Sequence, residues 1–429
     1  MIFKNISILD ENFQIRNDMY VGIEGSRIDY VGDKAPEKNY GEVISGKTKL
    51  IMPGFYNSHA HSPMALMRGY GENLSLQDWL VKKVFPFEAH LDSNAVYWGT
   101  MLCMAESLKY GIVSSSDMYF FVSDMAKAIA DAGTKANISR AISGTGDSDI
   151  SSMDSIKEMK TAAGSIHGSH EGRILMDVSL HAEYTSDRKI AEYLADYAKN
   201  SGFRMHVHVS ETEKEHLECK ERHEGMTPVA YLADCGLFDV PTTAAHCVWV
   251  EDEDIDILKR QGVTVAANPV SNQKLASGLA PLAKFLERGV KVAIGTDSVA
   301  SNNNLNFIEE IKSFALVGKV GAMNPEAITP TQALRAATIE GALSQGRYDC
   351  GVIREGNRAD IIMIETSGVN MHPVHDMLNN LVYSMTESDI RMTMVDGRIL
   401  YKDGEYVTID EEKTIAETEK AAANILKRL

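Results

Sequence analysis

Cysteine is scarce in this chain. Its 429 residues include five cysteines, at positions 103, 219, 235, 247 and 350, and none of them forms a CxxC pair. An odd, scattered set argues against a disulfide framework and for reduced thiols in a cytoplasmic protein. Long apolar runs are also missing. No eighteen apolar residues follow one another, so no membrane-spanning helix is expected. The N-terminus, MIFKNISILDENFQ, has no basic region followed by a long apolar stretch and does not read as a signal peptide. Positive charge is in deficit, with a formal net charge of −17 and no basic stripe. Nucleic-acid binding needs such a stripe to meet phosphates, and anionic membranes are disfavoured on the same ground. No low-complexity segment appears.

What is present is ordinary for a globular protein, with 44% hydrophobic and 24% charged residues. The length suits one large barrel plus a smaller domain. Eight short apolar segments read as strands: KLIMPGFYNSHAH (49–61), GIVSSSDMYF (111–120), ANISRAISG (136–144), ILMDVSLHAEY (174–184), RMHVHVSE (204–211), TTAAHCVWV (242–250), VTVAANPVS (263–271) and VKVAIGTDS (290–298). Amphipathic stretches such as 91–110 and 187–200 separate them. Strands alternating with helices imply right-handed βαβ units, and eight such units favour a closed (β/α)8 TIM-type barrel over 53–352. A doubly wound open sheet is the alternative, but it usually carries a glycine-rich phosphate loop after its first strand, and none is there. The two ends alternate apolar and polar residues, with Asp-Gly turns at 396–397 and 403–404. Residues 1–52 and 353–412 are therefore expected to combine into one small β-sandwich domain, and 413–429 to form an amphipathic C-terminal helix.

Side chains two apart on a strand face the same way. His59 and His61 thus point together, as do His206 and His208. Strand four ends in His181, strand six in His246 and strand eight in Asp297. Barrel sites are built at these C-terminal strand ends. A lone strand-end histidine is usually a hydrogen-bonded surface or core residue. Two HxH pairs, two further histidines and an aspartate at equivalent ends instead point to a metal hydrolase. His59, His61, His208 and Asp297 make a three-nitrogen, one-oxygen set suited to Zn2+, while Fe2+, Mn2+ or Ni2+ fit a similar set.

With these residues in view, the chain resembles the amidohydrolase superfamily, and within it the branch of 5-methylthioadenosine/S-adenosylhomocysteine deaminases. The matching pieces are PGFYNSHAHSPMALMRG, LSLQDWL, HVHVSETEKE, AAHCVWV, NPVSNQKLASGLAP and GTDSVASNNNLN. The resemblance implies hydrolytic deamination of adenosine-type nucleosides (5-methylthioadenosine, 5'-deoxyadenosine, adenosine, S-adenosylhomocysteine). An aminohydrolase or chlorohydrolase of a ring without ribose, of guanine, pterin or triazine type, is the alternative. A catalytically dead barrel serving as an interaction protein would have no reason to keep the full ligand set. The resemblance further implies one divalent metal per chain on His59, His61, His208 and Asp297, because strand four lacks the lysine that bridges two metals in many relatives. It makes Glu211 the acid that protonates a ring nitrogen and His246 the group that steers the attacking hydroxide. Asp297 takes the proton of water and passes it to ammonia. It assigns Trp79 to packing on substrate, Glu88 to the ribose hydroxyls, His181 to the purine and Arg140 to the neighbourhood of the 5′ group. It implies a homo-oligomer, a dimer or tetramer.

Two departures stand out. Glu183 replaces the usual Pro two residues after His181, and it would repel an anionic substrate if it faced the mouth. The segment 144–160 lacks the second Arg that relatives use for S-adenosylhomocysteine, leaving only Lys157 and Lys160. His206 reads as lying one layer deeper than the metal ligands. The stretch 211–225, with His216 and His223, reads as an exposed helix, and MHPVHD (371–376) as a surface or packing segment.

Overall fold

The computed structural model describes residues 1–147 and 149–429. Eight parallel strands pair in chain order: Phe55–Ala60, Ile112–Tyr119, Lys135–Arg140, Ile174–Ala182, Met205–Val209, Thr242–His246, Thr264–Ala267 and Lys291–Ile294. They are buried almost throughout, as expected of parallel strands covered on both faces. The first and eighth strands close the barrel. Ala60 bridges Asp297, whose amide donates to the His59 carbonyl at 3.0 Å. Asn57 and Thr296 tighten the seam: Asn57 Nδ2 donates to Thr296 Oγ1 at 2.8 Å, and the Thr296 amide donates to Asn57 Oδ1 at 3.0 Å. The fold is the TIM-type barrel expected, with a second sheet drawn from both ends of the chain.

That second sheet has nine strands, and Lys49–Pro53 joins its N-terminal strands to Ile361–Glu365 at its centre. Its own core contains Phe3, Ile8, Val21, Ile51, Ile361 and Met392. The segment 49–61, expected as one strand, is two strands in two sheets. Lys49–Pro53 pairs in the small sheet, and Phe55–Ala60 opens the barrel. Gly54 is the joint: a Cβ there would lie 2.3 Å from Val113 Cγ1. One continuous apolar run therefore serves two cores, and periodicity cannot reveal a break of this kind.

The C-terminal helix spans Glu411–Leu426, with the Asp410 carboxylate accepting from the Lys413 amide at its start. It packs on the barrel helix Ser93–Lys109, and Thr418 Oγ1 donates to the Trp98 carbonyl at 3.1 Å. The two sheets are also pinned by charge. Lys135, buried on the third barrel strand, pairs with Asp360 and, at 2.8 Å, with Asp396, both from the small sheet's side. Burial alone would lower the Lys135 pKa, but the Asp360 carboxylate outweighs it and the net shift is upward. Removing one member of such a group leaves buried charge without a partner. Lys135→Ala is expected to cost about 3–5 kcal/mol, read as a lower denaturation midpoint in urea; an unchanged midpoint would contradict this role.

Candidate active site

The C-terminal ends of the barrel strands surround a cavity of about 360 Å³. Its walls include His61, His181, His208, Glu211, His246 and Asp297 from strand ends, and Trp79 and Glu88 from the segment after strand one. Strand ends turn sharply here. Ser210, His246, Cys247 and Asp297 all have positive φ, from 48° to 72°. Left-handed backbone at non-glycine residues costs roughly 1–3 kcal/mol each and gathers where geometry is dictated by function.

The imidazoles are tied from behind. The Nδ1 of His61 contacts the Met118 carbonyl at 2.5 Å, and that of His208 contacts the His181 carbonyl at 2.7 Å. A carbonyl only accepts, so each Nδ1 carries the proton and each Nε2 turns a lone pair inward. His59 Nδ1 lies 3.0 Å from His206 Nε2. Burial lowers the His206 pKa well below the ordinary value, so His206 stays neutral and can accept the His59 proton.

The front nitrogens then converge. His61 Nε2 and His208 Nε2 are 3.3 Å apart, and Asp297 Oδ1 lies 3.5 Å from His59 Nε2 and 3.3 Å from His61 Nε2. His59 Nε2 is buried and has no hydrogen-bond partner. An orphaned buried polar atom costs about 1–3 kcal/mol, which a bound cation would remove. Burial lowers His59 to about 3 and holds His208 well below its usual value, so both stay neutral. His61 differs: burial opposes its charge, yet the Asp297 carboxylate outweighs burial and raises its pKa. A cation entering here displaces that proton, so its affinity falls as pH falls. The donor set, three imidazole nitrogens and a carboxylate, fits one divalent metal.

Glu211 is buried on the adjoining wall, its Oε2 3.8 Å from His246 Nε2. Burial pushes its pKa up, His246 opposes, and Asp297 adds to the rise. Asp297 Oδ2 accepts from Ser271 Oγ at 2.6 Å and Ser301 Oγ at 2.8 Å, which leaves Oδ1 toward the histidines. Burial raises Glu88, a partly buried residue of the cavity wall, to about 7. His181 stays neutral, lowered by burial to about 4.

Several expectations are corrected. Arg140 does not line the cavity: its Nε donates to Glu158 at 2.6 Å and its guanidinium lies 4.5 Å over Phe120, which does. Glu183 does not face the mouth. It is buried and held by Arg222 and His223, both at 2.7 Å. The stretch 211–225 is therefore no simple exposed helix, since Glu215, His216 and Cys219 of Glu213–Arg222 are buried. His372 and His375 are exposed and lie outside the cavity.

Sequence reasoning missed other participants. Asp117 accepts from the Ser62 amide at 2.9 Å and also from its hydroxyl, fixing the turn after His61. Glu215 accepts from the amides of Ser210 (2.8 Å) and Glu211 (2.7 Å), clamping the backbone of the acid. Tyr119 lines the cavity with its buried hydroxyl unpartnered. The SETEKE run carried the Glu215 signal, a second carboxylate one helical turn after Glu211.

Comparison with known proteins identifies the family. Residues 50–400 match the model of the amidohydrolase family. A 5-methylthioadenosine/S-adenosylhomocysteine deaminase from Caldanaerobacter subterraneus subsp. tengcongensis is 39% identical, covering 100% of this chain and 99% of its own. A 5'-deoxyadenosine deaminase from Methanosarcina mazei is 40% identical, covering 95% and 94%. A zinc-bound adenosine deaminase from Xanthomonas campestris superposes with TM-score 0.92 at 27% identity, covering 99% and 98%.

One divalent ion per chain is expected by elemental analysis, and His59→Ala or Asp297→Ala should abolish both binding and activity. His206→Ala should weaken metal affinity by about 10–100-fold, since it removes only the group behind His59. Competition with a chromophoric chelator measures this, and unchanged affinity would show that His206 only fills space.

Proposed function

The chain belongs to the amidohydrolase family, and from that premise we propose that it is a zinc-dependent deaminase that hydrolyses adenosine-type nucleosides to the inosine analogue and ammonia. The observation that carries this is one cavity that joins a protonatable carboxyl, Glu211, to the His–Asp cluster on one side and to Glu88 on another. A nucleoside needs both ends. A ring without ribose, such as a triazine or guanine, has no use for Glu88.

Zinc, when bound by His59, His61, His208 and Asp297, supplies the Lewis acidity that brings the pKa of water down to roughly 7. The chain's own residues do the rest. Glu211, whose pKa burial raises, donates to the ring nitrogen beside the amino-bearing carbon, and the electrophile strengthens as that proton arrives. His246 steers the incoming oxygen through Nε2. Asp297 accepts the proton of water on its carboxylate and passes it to the departing ammonia. Trp79 and His181 pack against the base, and Glu88 accepts hydrogen bonds from the two ribose hydroxyls, which a carboxylate with two oxygens can do.

The 5′ end of the substrate is set by what the cavity lacks. Among the described residues that line it there is no Lys or Arg, while Leu76, Leu80, Val84, Phe85, Met118 and Phe120 supply apolar wall. Arg140 is committed to Glu158. Lys157 is exposed beside Asp154, and Lys160 lies over the rings of Tyr193 and Tyr197. A neutral 5′ group therefore suits the site, and an amino-acid carboxylate would enter without a partner.

Glu211→Gln should keep its metal and lose about 10²–10⁴-fold in kcat. An unchanged rate would reduce Glu211 to a structural carboxylate. The value of kcat/KM should be ten- to hundredfold higher for 5'-methylthioadenosine than for S-adenosylhomocysteine, because one missing charged hydrogen bond is worth about 1.5–3 kcal/mol. Equal values on one preparation would mean that a cation reaches the carboxylate after all.

A further inference from the structure

The run NPVSN follows the seventh barrel strand and has no role so far. Its chain forms the short helix Pro269–Lys274. Three of its side chains meet Asp297 and His246. Ser271 Oγ donates to Asp297 Oδ2 at 2.6 Å. Asn272 Oδ1 lies 2.8 Å from His246 Nδ1, and Asn268 Nδ2 lies 3.2 Å from the same nitrogen. All of them are buried.

The two asparagines make opposite demands. Asn272 presents an oxygen, which requires a proton on His246 Nδ1. Asn268 presents an amide N–H, which requires a lone pair there. One imidazole nitrogen cannot satisfy both. The Asn272 contact is shorter by 0.4 Å, from 2.8 and 3.2 Å. The chemistry at the other end of the ring sides with it. Only with the proton on Nδ1 does Nε2 carry a lone pair, and Nε2 is the atom 3.8 Å from Glu211. The opposite tautomer would aim an N–H, and no lone pair, at the incoming oxygen that His246 steers.

We infer that Asn272 is a positioning residue that fixes His246 as the Nδ1–H tautomer, through the contact between its side-chain oxygen and His246 Nδ1. This rests on the role proposed above for His246. Asn272 touches no substrate; it acts through the ring. It has the same logic as the carboxylate behind a catalytic histidine, whose loss leaves geometry intact and costs up to about 10⁴ in kcat by allowing the wrong tautomer.

The test uses zinc-loaded protein labelled with ¹⁵N-histidine, with His246→Gln identifying the His246 signals by their disappearance. The wild type should show a protonated Nδ1 and an unprotonated Nε2 at His246. The reverse pattern overturns the inference with no other variant needed. Asn272→Leu should keep its zinc and a KM near the wild-type value, lose about 10²–10⁴-fold in kcat, and shift the His246 proton to Nε2. Asn272→Asp, which still accepts at Nδ1, should recover most of that loss. Asn272→Leu with full kcat, beside an inactive His246→Gln, overturns the inference and leaves the proposed function standing.

Discussion

The site depends on which nitrogen of each histidine carries its proton. The carbonyls of Met118 and His181 claim the Nδ1 protons of His61 and His208, and His206 stands behind His59 in the same way. Three lone pairs are thereby forced toward one point, beside the Asp297 carboxylate. Burial keeps His59 and His208 neutral, each turning a lone pair into the same space, and His59 Nε2 has no partner at all. The arrangement is complete only with a cation, and a chain that folds into it has prepaid the ordering of the ligands.

The barrel exists in the form that meets this demand. Its closure puts Asp297 beside His59 through a backbone hydrogen bond, so the seam of the fold and the seam of the site are the same. Left-handed backbone at Ser210, His246 and Asp297 marks the ends of three of its strands. The strain is borne by a large apolar core on both sides of the strands. Buried carboxylates then hold the turns. Asp117 holds the one after His61, Glu215 the one at Glu211, and Glu183 ties the strand-four turn to the helix Glu213–Arg222. The cavity left over combines apolar side chains with the histidines and carboxylates of the site.

Much of this was legible because strands have a period of two. The spacing of His59 and His61, and of His206 and His208, needs no structure to imply a shared face, and parallel strands end together. What spacing could not give was orientation beyond the strand. Glu183 follows His181 by two residues, yet the chain has already turned into Glu183–Thr185, and the carboxylate meets Arg222 and His223 instead of the mouth. Arg140 ends its strand, but Glu158, from a helix many residues later, has claimed it. The break at Gly54 was hidden because the apolar pattern is continuous and only the partner sheets differ. Asn272 and Glu215 were visible as letters, but their roles depend on contacts with His246 and the Glu211 backbone, which are tertiary information.

The most direct test follows ammonia released from 5'-methylthioadenosine as zinc is titrated into protein stripped by chelation. The account predicts no release from the stripped protein and a linear rise to a plateau at one equivalent of zinc per chain. Full deamination by the stripped protein, or none from any adenosine-type nucleoside at the plateau, would contradict it.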